Sequence, residues 1–450
     1  MSTAPRTPQQ PTSTLVLGLG KTGYSVVEHL AARGDKITVA DSRAVAPCLA
    51  QVRARHPGVE VVTGRLPQER FGQFDRIVVS PGIAVKTGGA QRLVGDIELF
   101  AESARAPVIA ITGSNGKSTV TTMVAALLQG AGRRALSGGN LGPPALQLLA
   151  EPAPDFYVLE LSSFQLESTH SLAPAAAAIL NISQDHLDRY PDMRRYIEAK
   201  ARILERAATR VLNRDDPGLA ALRSADPAVV SFGLGRPPGE RDYGVMDTAR
   251  GRFLCKGRVP LAAVERLSVP GAHNIANALA ALALMECAGV SATPAAVEAL
   301  LAYRGLEHRC EMVADIAGVR WINDSKGTNV GATAAAIQGL HGAGPDLILI
   351  AGGLGKGADF APLQAPVGRC VGHAVLFGHD APRIAAALAG HTRIARAADL
   401  PQAVAWAARH ARAGQVVLFS PACASFDQFD DYRARGLAFK QLVGELEQAQ

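Results

Sequence analysis

The sequence predicts an α/β protein of three successive domains, each built around a mostly parallel sheet, and three observations predict it. The chain has 450 residues, too many for one ordinary core, so two to four domains is the size expectation. Three times an apolar, β-rich run meets a glycine-rich turn and then a helical pattern, the rhythm of βαβ units. Each set of strands also ends in Gly, Ser, Asp or Asn, as the ligand-facing carboxyl edge of such a sheet does.

The first set opens with Ser13–Gly20 and continues with Lys36–Ala40 and Arg76–Val79. The second opens with Pro107–Thr112, followed by Phe156–Leu161 and Ala178–Ile182. The third comprises Val319–Asn323, Leu347–Ala351, Ala374–Phe377 and Val416–Ser420. Boundaries near Gly95–Phe100 and Arg304–Glu311 divide the chain into a lead, 1–13, and domains at 14–97, 98–306 and 307–450. Ser231–Val269 is polar, glycine-rich and weakly periodic, so irregular strands of the middle domain are expected there. The longest apolar stretch, Ile275–Val290, is interrupted by Asn277, Glu286 and Gly289 and is too short to span a bilayer comfortably. It reads as a buried helix.

Bulk chemistry narrows the function classes. A hydrophobic fraction of 48% with 19% charged residues is that of a globular protein, neither disordered nor fibrous. The formal charge of +6 suits acidic small ligands, but no basic run is long enough to grip nucleic acid. Cys48, Cys255, Cys287, Cys310, Cys370 and Cys423 form no C-x-x-C pair. Free thiols in a reducing compartment are therefore expected, not a zinc site or a disulfide framework. The opening MSTAPRTPQQPTS lacks an apolar segment after a basic start, so it reads as a short disordered lead and not a signal peptide.

Gly18-Leu19-Gly20-Lys21-Thr22-Gly23 is a G-x-G-x-x-G between a strand and a helix, with Asp41 ending the next strand. Such glycines let backbone N–H groups approach a pyrophosphate at the positive helix terminus. The same string would also make a tight turn with no ligand. Thr112-Gly113-Ser114-Asn115-Gly116-Lys117-Ser118-Thr119 follows PVIAI and opens a helix; Lys117 can reach β/γ-phosphates and Ser118 can hold Mg²⁺. Ile111 stands where the general Walker pattern has Gly, so the loop is a variant.

Glu160 ends the run DFYVLE, where a metal-binding acid would sit, though alone it could equally be a solvated charge. His186 follows another strand; imidazole is an unusual ligand for a hard cation, so by itself it reads as a hydrogen-bonded loop histidine. Lys200 is more telling. In DMRRYIEAKARILERAA it falls on the apolar stripe of Tyr196, Ile197, Ile203, Leu204 and Ala207. A lysine there is costly unless paired, neutral or snorkelling. A desolvated amine of lowered pKa is the form that takes up CO₂ as a carbamate, which would turn a cation into a metal-binding anion. The strand ends carrying Asp324, Lys326 and Thr328, then Gly352–Gly357 with Lys356, then Ser420–Phe426, suit a small, doubly anionic ligand. Each taken singly could be turn chemistry.

Taken together, the strings VGDIELF, AITGSNGKSTVTT, YVLELSSFQLE, DHLDRYP, HNIANALAALAL, WINDSKGTN and SPACASFDQF resemble the Mur ligases. They run in order over nearly the whole chain after the first dozen residues. The resemblance implies an N-terminal Rossmann-like UDP-binding domain, a central P-loop ATPase-type domain and a C-terminal Rossmann-like domain that brings glutamate. It implies that Gly113, Ser114, Asn115, Gly116, Lys117, Ser118, Thr119, Asn274, Asn277, Arg309 and Asp324 bind ATP. Lys21, Thr22, Asp41, Ser42, Arg43, Gly82 and Asn140 would bind the UDP substrate. Lys326, Thr328, Lys356, Ser425 and Phe426 would line the glutamate pocket. Lys117, Glu160, His186 and Lys200 would be catalytic, and Ser118, Glu160, His186 and carbamylated Lys200 would hold two Mg²⁺ ions, with Mn²⁺ as a substitute.

The activity implied is ATP-dependent addition of D-glutamate to UDP-N-acetylmuramoyl-L-alanine through an acyl phosphate, in peptidoglycan precursor synthesis. A cytoplasmic monomer without a membrane span or nucleic-acid partner is implied with it. Leu354, Phe426 and Tyr432 depart from the family's usual residues and bear on the choice of acceptor, so L-glutamate or another amino acid is an alternative. A nicotinamide-dependent oxidoreductase would explain Gly18–Gly23 and Asp41 but leave the GKST loop without purpose. A non-catalytic nucleotide switch would leave Lys200 unexplained. Folylpolyglutamate synthesis is the nearest different substrate class, and the UDP-type N-terminal domain argues against it.

Overall fold

Apolar β-branched and leucine-rich runs need both faces covered, and the structure satisfies them with three helix-flanked sheets. The structure is a computed structural model, and it describes residues 12–83, 92–185, 189–224, 226, 228–269, 271–340 and 347–448.

The first sheet has five parallel strands in the spatial order Glu60–Thr63, Lys36–Asp41, Ser13–Leu17, Arg76–Val79 and Arg92–Val94. Its central strand, Ser13–Leu17, runs into the glycine turn and the helix Lys21–Ala32. A Cβ on Gly23 would lie 1.8 Å from the Gly18 carbonyl oxygen, so only glycine lets the helix start this close to the turn.

The second sheet has nine strands. Ala135–Gly139, Phe156–Glu160, Val108–Thr112, Ala176–Ile179, Arg210–Asn213, Val230–Phe232 and Tyr243–Thr248 lie side by side and parallel. The irregular strands expected over Ser231–Val269 form an antiparallel extension, in which Tyr243–Thr248, Gly251–Lys256 and Val259–Ala263 make two hairpins, the second with a register shift at Leu254/Cys255. Their faces are only half buried, which is why the hydrophobic period there is weak. The expected strand Ala178–Ile182 runs instead over Ala176–Ile179. Beyond Leu180 the chain leaves the ladder, because Asn181 and Ser183 bond the neighbouring loop after Val108–Thr112. The apolar stretch is the helix Ala272–Cys287, whose residues Ala278–Met285 are fully buried. No helix among the described residues is long and apolar enough to cross a membrane.

The third sheet orders Glu311–Ile316, Val319–Asn323, Val416–Phe419, Leu347–Gly352, Val371–Phe377 and Arg393–Arg396. Only the first pair is antiparallel. The edge strands Glu311–Ile316 and Arg393–Arg396 escaped sequence reading because little of either is buried.

The helix Asp96–Ser103 joins the first sheet to the second. Glu98 is fully buried and accepts the N–H groups of His170 (2.6 Å) and Ser171 (2.9 Å). Asp96 Oδ2 accepts from Gln165 Nε2 at 3.2 Å, while its Oδ1 has no partner among the described residues. Burial pushes the Asp96 acid up from 3.8 to about 6 against the pull of Gln165 and the amides at the helix start. The folded state therefore holds this proton more tightly than the unfolded chain. Stability falls as pH rises from the unfolded to the folded pKa, and the penalty is fully present above about 6. Two units correspond to at most about 3 kcal/mol. Asp96→Asn keeps an acceptor for Gln165 and removes the charge. It should raise Tm at about pH 8 and leave it near wild type at about pH 4, measured by thermal denaturation at both.

Candidate active site

The loop between the strand Val108–Thr112 and the helix Lys117–Gly130 carries the phosphate-binding string. Gly113 (φ 153°) and Gly116 (φ 80°) take backbone conformations that L side chains rarely adopt. The loop is tied down from outside. The Ser114 N–H donates to the Asn181 carbonyl (2.9 Å) and the Asn115 N–H to Asn181 Oδ1 (2.8 Å). Ser114 Oγ donates to the Ser183 carbonyl (3.0 Å) and pairs with Tyr196 Oη (3.1 Å). Asn181 and Ser183 were not singled out from sequence, although they lie within five residues before His186. Asp185 lines the same cavity. His186 itself lies outside the described residues.

Two lysines, Lys200 buried and Lys117 half-buried, converge on one carbonyl. Lys117 Nζ donates to the oxygens of Gly113 and Ser114, and Lys200 Nζ to that of Gly113, each at 2.9 Å. The helix Met193–Ala201 buries Tyr196, Ala199 and Lys200, and a 3-10 turn continues it over Arg202–Leu204. Lys200 is 2% exposed and its ammonium sits 4.7 Å over the Tyr196 ring. Burial, then the neighbouring Lys117 charge, holds the Lys200 pKa well below the usual lysine value against Asp185 and Glu160. Burial also lowers Lys117.

Glu160 ends the strand Phe156–Glu160 and is 2% exposed. Its Oε2 accepts from Ser118 Oγ (2.5 Å) and its Oε1 from Asn140 Nδ2 (2.6 Å). Burial alone would raise its acid, but Lys117, Arg309, Ser118 and Asn140 outweigh it and keep the carboxylate ionised. Arg309, from the connection into the third sheet, donates Nη2 to Ser118 Oγ at 2.6 Å. The hydroxyl and carboxylate oxygens of Ser118 and Glu160, in contact at the head of the loop, are hard donors that fit Mg²⁺.

A cavity of about 530 Å³ gathers Asn115, Lys117, Asn140, Glu160 and Lys200 with residues of the third sheet. The latter are Arg309, Lys326, Thr328, Lys356, Ser425 and Phe426. Lys326 Nζ lies 4.2 Å over the Tyr432 ring, and burial lowers it to about 8. Lys356 (φ 49°) stands 5.7 Å over the ring of Phe426, which is 63% exposed. A second cavity, about 400 Å³, contains Gly116, Thr119, Asn274, Asn277, Arg309 and Asp324. Asp324 Oδ2 accepts from Ser420 Oγ (2.6 Å) and Oδ1 from the Cys310 N–H (3.2 Å); burial raises its acid to about 6.

The first sheet's candidates stand apart. Lys21, Thr22, Ser42 and Arg43 are outside the main cavity, and Gly82 lines a neighbouring one that shares Pro81 and Phe164 with it. Asp41 is buried and spent locally. It accepts the Leu19 N–H (2.7 Å) and a bidentate Arg43 (2.8 and 2.6 Å), which lower its acid to about 2. The carboxylate therefore braces the glycine turn.

Comparisons with known proteins agree along the chain. Residues 12–95 match the MurD-like N-terminal domain of Mur ligases, 111–285 the Mur ligase middle domain, and 308–423 the Mur ligase glutamate ligase domain. The chain is 49% identical over 453 residues to the UDP-N-acetylmuramoylalanine–D-glutamate ligase of Nitrosococcus oceani, covering 99% of each. It is 47% identical over 437 residues to that of Marinobacter nauticus, covering 96% of this chain and 97% of the relative. The fold is shared with the UDP-N-acetylmuramate-alanine ligase MurC of Thermotoga maritima (TM-score 0.60, 19% identity, 98% of this chain and 100% of that one). It is shared likewise with MurF of Acinetobacter baumannii (TM-score 0.60, 19% identity, 96% and 90%).

Proposed function

The chain belongs to the Mur ligase family, and on that premise we propose that it joins D-glutamate to UDP-N-acetylmuramoyl-L-alanine at the expense of ATP, in peptidoglycan precursor synthesis. The single observation that carries the reading is the shared cavity. The phosphate loop with Lys117, Glu160 and Lys200 faces Lys326, Thr328, Lys356 and Ser425 across about 530 Å³. A nucleotide cleft alone would not need the second set, and a dehydrogenase would not need the first.

The division 14–97, 98–306 and 307–450 belongs to this reading, as the UDP, ATP and glutamate domains, and so does a cytoplasmic, single-chain enzyme. Lys117, Arg309 and Lys326 bring together two anions that repel, the triphosphate and the alanyl carboxylate. The γ-phosphoryl group passes to a carboxylate oxygen and ADP leaves. The glutamate nitrogen then attacks the acyl carbon; the C–N bond forms, phosphate departs with the C–O bond, and the amine releases a proton. Lys356, Thr328 and Ser425 suit the acceptor's two carboxylates by charge and hydrogen bonding. Closure of the domains over the cavity would exclude water from the acyl phosphate.

Ser118 and Glu160, with His186 and a Lys200 carbamate, would hold Mg²⁺, which neutralises phosphate charge when bound. The geometry of the lysines supports a carbamate at Lys200. Two ammonium groups at one carbonyl oxygen favour loss of a proton from Lys200; the neutral nitrogen would then bond to the carbon of CO₂, one C=O π pair moving to oxygen and an N–H proton passing to solvent, to leave an anion beside the Lys117 cation.

The test is phosphate release with ATP, Mg²⁺ and UDP-N-acetylmuramoyl-L-alanine, adding D-glutamate, L-glutamate or neither. Release that requires both precursor and D-glutamate is expected. Equal release without an amino acid, or faster release with L-glutamate, would overturn the assignment.

A further inference from the structure

We propose that Asn329 and Gly331, at the start of the helix Val330–Leu340, are positioning residues through which the phosphate-binding loop sets the geometry of the glutamate pocket; this rests on the ligase reading above.

Asn329 directly follows Thr328 and uses both ends of its amide. Its Oδ1 accepts the Ala332 N–H at 2.9 Å, capping the helix of the third domain. Its Nδ2 donates across to the middle domain, to Asn115 Oδ1 (3.2 Å) and Asp185 Oδ2 (3.3 Å). Asn115 passes the polarity on, donating Nδ2 to Ser183 Oγ at 3.2 Å. Because Oδ1 must accept from Ala332, the amide has one orientation that satisfies every partner. The cap thus fixes the donor that reaches the phosphate loop.

Gly331 supplies an independent observation. An added Cβ would stand 2.9 Å from Ser183 Oγ, 3.1 Å from Ser183 Cβ and 3.3 Å from Asn115 Nδ2. Its backbone is helical, so nothing in its conformation calls for glycine, and alanine would suit the helix better. Clearance against the loop's support is what glycine provides here. The helix start therefore seats on Asn115 and Ser183, and Lys326 and Thr328 are carried into place by the same segment. An anion held by the loop fixes Asn115, and Asn115 fixes the acceptor side.

Two variants of the full-length enzyme test this. Asn329→Ser keeps a capping oxygen but is too short to reach Asn115. Gly331→Ala adds one methyl group at the seat. For both we expect the KM for D-glutamate to rise about tenfold, equivalent to about 1.4 kcal/mol. The Kd for ADP, by titration calorimetry, should stay within about threefold, and Tm should hold for Asn329→Ser and hold or rise for Gly331→Ala. A glutamate KM within twofold of wild type in both variants would overturn the proposal. So would a rise in KM matched by an equal loss of ADP affinity or by a fall in Tm, which would mark a merely structural role. If the wild-type enzyme released no phosphate with glutamate, the ligase reading itself would be at fault.

Discussion

Lys200→Ala should lower ligation about a thousandfold, and a short carboxylic acid such as formate or acetate should restore part of it. The size follows from removing preorganised charge at a water-excluded reaction centre, where one lost interaction commonly costs about 10²–10³ in rate. The rescue follows from geometry. The alanine leaves a space beside Lys117 and the Gly113 carbonyl, and the main cavity opens onto it. A free carboxylate there replaces the anion that a carbamate provides. Lys200→Arg should not rescue, because a guanidinium stays cationic and cannot take up CO₂. Carbon-13 resonance from labelled bicarbonate gives a direct readout of the carbamate in the wild type. Wild-type activity in Lys200→Ala, or a fall that no carboxylic acid relieves, would remove the carbamate from the mechanism.

Glu160→Gln should lower kcat by about 10²–10³-fold and raise the Mg²⁺ concentration needed for half-maximal activity at least about tenfold. The substitution keeps the volume and one acceptor oxygen while deleting the charge that offsets Lys117 and Arg309. Its Tm should fall as well, since the neutral amide leaves Lys117 and Arg309 without the carboxylate that offsets them. Mg²⁺ titrations of the rate, with thermal denaturation alongside, separate the two. A variant that kept its Mg²⁺ requirement and lost less than tenfold in kcat would place the metal's oxygen donors elsewhere.

Local spacing made much of this legible. The strand–GKST–helix order of residues 108–130 is written in adjacent residues, as is the buried stripe that takes in Lys200. Strand ends in the third sheet could be found one at a time, since each is an apolar run closed by Gly, Ser or Asn. The hairpins over Tyr243–Ala263 could not, because half-buried strands carry too little hydrophobic contrast. Asp41 shows a different limit. Its position after the second strand is that of a ligand-binding acid, and that it also accepts from Leu19 and Arg43 is visible only in the fold, since no one-dimensional pattern records a carboxylate's partners.

By itself the sequence determined the α/β class and the three-sheet architecture and offered the candidate groups of the site, because each is written in periodicity or in neighbours a few residues apart. Tertiary structure alone decided which of those groups meet. Arg309 reaches Ser118 across 191 positions and Asn329 reaches Asn115 across 214, and such pairs are created by the packing of one sheet against another. The depressed pKa of Lys200 was decided there too. A lysine's charge is set by the solvent and the charges around it, and only the folded chain puts Lys117 and a shared carbonyl within reach.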